Sequence, residues 1–173
     1  MKKLFVIILT VVCLLFCACS NKKEYVLDEG TFFLVMTNMQ YYPEQYLDCD
    51  IEYDCFTYQL TDIYGKSYTC GVRKCSSGYG CTCGQDTIIG FILEYEGQLP
   101  PPKNQSVDGN EKTWVHLKGR MKSAEKTSVV VHSYLPNGEV DGDKTETILF
   151  LVFTVESCEL IDDYSNLNYY VTK

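Results

Sequence analysis

After its first eighteen residues the chain has no apolar run long enough to cross a membrane. It is also short of positive charge. Beyond Cys19 the lysines and arginines number 13 against 23 acidic residues, a net charge of −10. A field of that sign repels phosphate backbones, so nucleic acid is excluded as a partner. No Ser, His and Asp arrangement, phosphate-cradling glycine loop or pair of catalytic carboxylates stands out. Enzyme chemistry is therefore the minority reading. Internal repeats and a second domain are also lacking, and residues 20–173 have the size of one domain.

What the chain has at its start is a leader. Met1-Lys2-Lys3 precedes an uncharged stretch from Leu4 to Ala18, 15 residues where a spanning helix needs about 20. Ala18 supplies the small residue that signal cleavage requires, and the Ala18-Cys19 junction resembles a bacterial lipobox, with Phe16 and Cys17 departing from its commonest form. The expectation is a signal peptide over 1–18 and a diacylated, N-acylated Cys19, enough acyl chain for a stable anchor. Residues 19–30 then read as a tether, and 31–173 as the folded domain, lipid-anchored and extracytoplasmic.

Fourteen tyrosines and eight phenylalanines, with runs of Val and Ile, favour strands. Thr31–Thr37 reads as a first strand or a lead-in to one. Pro43 suits the first position of one helical turn over 39–47, and Glu44 suits its positive end. Period-two alternation begins at Asp50, with Ile51, Tyr53 and Cys55 on one face, and a turn at 62–66 returns the chain through Ser67–Arg73. Thr87–Tyr95 is a further strand in which Gly90 marks a bulge or tight bend. After a proline-rich loop come strands over 112–121, 127–133 and 145–161, with turns at Asn137-Gly138 and Asp141-Gly142. The last is apolar on both faces and belongs at the centre of a sheet. The expected fold is all-β, a small antiparallel barrel of the oligonucleotide/oligosaccharide-binding (OB) type with one short helical turn; an open sandwich is the alternative.

The chemistry concentrates between Cys70 and Asp86, where four of the ten cysteines fall. Past Cys19 seven cysteines remain, an odd number. In an oxidising compartment they read as disulfides with one thiol over, Cys49 with Cys55 and Cys70 with Cys75 being the local pairs. Cys81 and Cys83, one residue apart, close only a strained, reducible ring with each other. They are redox-active or face other partners. Zinc would accept both thiolates, with Asp86 or one of His116 and His132 completing the shell, and Cys70 and Cys75 belong to the same candidate thiol or metal set. The histidines read better as ordinary strand residues, and Trp114 as part of the core. Arg73 is either a solvated strand end or a support for the site, lowering a thiol pKa from the strand end beside it.

Gly80-Cys81-Thr82-Cys83-Gly84-Gln85-Asp86, then Gly90-Phe91, Trp114-Val115-His116-Leu117-Lys118-Gly119 and Val155–Ile161 together resemble the YcgQ-like proteins and related small bacterial lipoproteins. Tyr46-Leu47 and Arg73 match as well, so the likeness spans roughly residues 45–162. The family's adjacent Cys-Cys is Cys-Thr-Cys here, and its Gly-Lys after Tyr-Leu is Asp48-Cys49. The resemblance implies a barrel domain, a thiol site, an envelope location and work beside a permease, and no established reaction. The functional expectation is an accessory or binding lipoprotein, with a thiol-redox protein or a disulfide-stapled structural domain as alternatives.

Overall fold

A computed structural model describes residues 23–75, 87–103, 112–134 and 139–171. The described chain is mostly β: β1 (Glu24–Leu27), β2 (Asp50–Thr61), β3 (Ser67–Cys75), β4 (Thr87–Glu94), β5 (Trp114–Arg120), β6 (Lys126–Tyr134), β7 (Val140–Leu160) and β8 (Tyr170–Val171). One helix, α1 (Phe32–Tyr41), and a 3-10 turn (Pro43–Tyr46) lie between β1 and β2. All six strands expected from Asp50 onward are present. The leader and the Asn137-Gly138 turn lie outside the described residues.

The strand order is β1-β2-β5-β7-β4-β3-β8, β2 pairs with β3 as well as with β5, and β6 pairs with β7. The expected purely antiparallel sheet is in fact mixed, because β1 runs parallel to β2, β4 to β7 and β8 to β3. Between β4 and β7 the chain passes through β5 and β6, and β7 reaches β4 from its far side.

Period-two alternation sorts the side chains into two apolar clusters. Ile51, Tyr53 and Cys55 of β2 join Phe91, Leu117 and Phe153 in the first. Phe56, Cys70, Val72, Trp114, Val129 and Phe150 form the second. β7 serves both, with Leu151, Phe153 and Val155 in one and Phe150 in the other, which is why its sequence is apolar on both faces. At the centre of the first cluster the rings of Phe91 and Phe153 stack at 5.3 Å, and Tyr53 meets Phe153 edge-on at 5.4 Å. Each such ring contributes about 1.5–3 kcal/mol by leaving water.

Four local expectations need correction. Thr31–Thr37, read as a first strand or a lead-in to one, instead opens α1, with Thr31 as its N-cap and Phe32–Thr37 inside it. Phe32, Met36 and Met39 fall on one helical stripe and are wholly buried, so tertiary packing overrides local propensity. Asp28 starts the helix, its carboxylate accepting the Thr31 N–H at 2.9 Å and its carbonyl the Phe32 N–H at 2.9 Å. Pro43 stops it by holding Tyr42 out of the helical region.

The stretch read as tether is part of the fold from Glu24 onward, since β1 pairs with Asp50–Tyr53 and Leu27 is buried. Of the bulge or tight bend expected at Gly90, the bulge is absent, since β3 and β4 stay in register through Val72↔Gly90, whereas β5 slips against β7 between Lys118 and Gly119. Asp141-Gly142, read as a turn, falls inside the long β7.

Candidate functional site

Cys19, Cys81, Cys83 and Asp86 lie outside the described residues. What the structure does define is the frame of the cysteine-rich segment. The β3–β4 ladder runs to its final pair, Cys75↔Thr87, so residues 76–86 leave and return at adjoining strand ends. β8 braces the same point through Cys75↔Val171.

The cysteines on that frame do not converge. Cys70 belongs to the second apolar cluster and Cys75 to the first, on opposite faces of β3. Five residues of extended strand separate their Cα atoms by about 16 Å. They can neither share a disulfide nor ligate one ion together. Cys49 and Cys55 are six residues apart along a chain that extends from Asp50, which disposes of the other local pair. Among the described residues Cys49, Cys55, Cys70 and Cys158 are free thiols, and no cluster of His, Cys, Asp and Glu has the makings of a metal site. His116 is a strand residue whose Nδ1 lies 2.8 Å from the Asp54 carboxylate across the β2–β5 ladder; His132 is exposed on β6.

Arg73, expected from the sequence to be a solvated strand end or a support for the thiols, is instead the buried centre of a clasp. It is 1% exposed. The last described β2–β3 pair is Phe56↔Val72, and directly beyond it the Arg73 guanidinium takes over the main-chain bonding that the ladder stops providing. Its Nε donates to the Asp54 carbonyl at 3.1 Å, one terminal nitrogen to the Asn168 carbonyl at 2.7 Å and the other to the Glu29 carboxylate. The plane lies between the rings of Phe32 and Trp114, 5.1 and 4.9 Å from their centroids. Glu29 also accepts the Asn168 N–H at 3.1 Å. One cation thus ties the segment before α1 and the segment before β8 to β2. Burial pushes the Glu29 carboxyl up, but the Arg73 guanidinium and the Asn168 N–H outweigh it and hold it below the usual value.

Arg73 does act on a thiol, though the one it reaches is Cys55. Burial raises the Cys55 pKa well above the ordinary value, and the Arg73 charge offsets only part of this. Burial likewise pushes Cys70 up to about 12. A neutral, enclosed thiol is a poor nucleophile. At pH 8 a water-soluble alkylating reagent is therefore expected to leave Cys55 and Cys70 unmodified until denaturant is added, as read by peptide mass spectrometry. Labelling of either at the rate of a free thiol in folded protein would contradict their placement.

A groove of about 1050 Å³ lies elsewhere, between the end of β4, the β5–β6 connection and β7. Its walls carry Glu94, Glu96, Glu125 and Glu156 against Lys122 and Lys126. The acidic excess makes it a poor seat for anions.

No family profile, curated protein or solved structure matches the chain.

Proposed function

We propose that this chain is a lipid-anchored, extracytoplasmic accessory or binding module of the bacterial envelope, in which a small OB-type barrel presents a thiol or metal site made by Cys81, Cys83 and Asp86. Support for the barrel comes from the pairings: β2-β5-β7-β4-β3 returns to β2, five strands in the connectivity of that fold, with β4 parallel to β7. α1 closes one end with Phe32, Met36 and Met39. The observation that carries the site is the Cys75↔Thr87 pair, because it brings together the two strand ends between which Cys81, Cys83 and Asp86 are carried. The kinship to the YcgQ-like lipoproteins, and with it an association with a permease, belongs to the same proposal. Free thiols at Cys49, Cys55, Cys70 and Cys158 favour a metal or redox site over a disulfide-stapled structural domain.

Metal analysis of untagged protein decides the matter. Near-stoichiometric zinc, lost in the double variant Cys81→Ser, Cys83→Ser with the far-ultraviolet circular dichroism unchanged, is the expected result. A metal-free protein with a reducible Cys81–Cys83 pair would favour the redox reading instead. Both cysteines locked in disulfides resistant to mild reductant would overturn the site.

A further inference from the structure

We propose that the outward face of α1 rests on the membrane surface, with Tyr41 and Tyr42 at the level of the lipid headgroups. This rests on the reading of Cys19 as the lipid-bearing residue.

None of the ten residues of α1 is charged. Its inner stripe is buried, yet Leu34 is 60% and Tyr41 75% exposed, and Tyr42, just past the end, is 57% exposed. A helix on the surface of a domain in water normally carries charge on its outer side. This one offers an aliphatic side chain and two adjoining phenols, the rings 6.4 Å apart between centroids. Tyrosine favours the boundary between hydrocarbon and headgroup, where the ring is dry and the hydroxyl is wet.

The length of the connection identifies the occupant. Cys19 and Glu24 are five positions apart, a reach of about 17 Å when fully extended. β1 is then pinned to β2, and only Asp28–Thr31 intervene before α1 begins. A lipid on Cys19 consequently keeps α1 beside the bilayer, and the uncharged face is the side that suffers least from meeting it. Asp28 and Glu44 flank the helix, so the surface it fits is zwitterionic and not anionic.

The experiment uses the mature lipoprotein, purified from membranes and reconstituted into phosphatidylcholine vesicles. Trp114 is buried, so its emission serves as an internal reference, and Tyr41→Trp places a reporter on the face. Replacing the lipid by its brominated form is expected to quench the added emission and to spare that of Trp114. Leu34→Trp, at a second exposed position, should behave alike. Protein that floats with the vesicles while both reporters stay bright overturns the proposal and leaves the anchor intact. Protein that does not float and lacks acyl mass on Cys19 refutes the anchor, and the proposal with it.

Discussion

Arg73→Ala is expected to cost about 3 kcal/mol, the low end for breaking a buried ion pair, because the wholly buried cation is lost while the half-buried Glu29 keeps its charge without a counter-ion. The Asp54 and Asn168 carbonyls lose their donors in the same substitution. Arg73→Lys should recover only part of this, since an ammonium cannot reach three acceptors in one plane or stack between two rings. Urea denaturation followed by circular dichroism measures the difference. A loss below about 1 kcal/mol, the ordinary surface ion-pair value, would show that the clasp does not hold the terminal segments.

The same pair sets a pH dependence. The folded Glu29 pKa lies below its ordinary 4.5, so its contribution is complete above that value and disappears as pH falls through the folded pKa. The stability gap between wild type and Glu29→Gln should therefore narrow below about pH 4.5 and stay constant above it. A gap that widened on acidification would contradict the pairing.

Gly90→Ala is the second large effect. A Cβ there would lie 2.1 Å from the Gly71 carbonyl oxygen and 2.9 Å from the Val72 Cα, at a φ of +155°. Both obstacles are backbone, so relief requires β3 and β4 to part. The Gly90 carbonyl also accepts the Gln40 side-chain amide at 3.1 Å, so the shift would loosen α1 as well. The expected loss exceeds about 4 kcal/mol, in the exceptional range for a single substitution. Gly119→Ala should resemble it, its Cβ meeting the Thr154 carbonyl oxygen at 2.2 Å beside the β5–β7 slip. Thermal melts within a degree or two of wild type for both would refute the packing at these crossings.

Strand positions from Asp50 onward were legible because each is half in one cluster or between two, which writes an alternation or a doubly apolar run into the residues themselves. Ile51, Tyr53 and Cys55, and both faces of β7, are examples. Arg73 was legible as a residue of interest but not in its role. Nothing local says that Glu29, 44 positions earlier, and Asn168, 95 positions later, come to meet it. Cys70 and Cys75 misled for a related reason, since closeness in sequence suggested a pair while the strand's own geometry sends them to opposite faces.

From residue order alone came the mostly β architecture, the hairpin around residues 62–66, the proline-started turn at Pro43 and the acidic surface, all consequences of side-chain period, φ restriction or charge that act within a few residues. Tertiary structure decided the rest. It made a helix of the strand-prone residues 32–41 by offering their Phe32-Met36-Met39 stripe an apolar seat, and it recruited Glu24–Leu27 by offering them the open edge of β2. It also brought three parallel strand pairs together across long connections, where the stabilisation comes from partners that no local window of sequence contains.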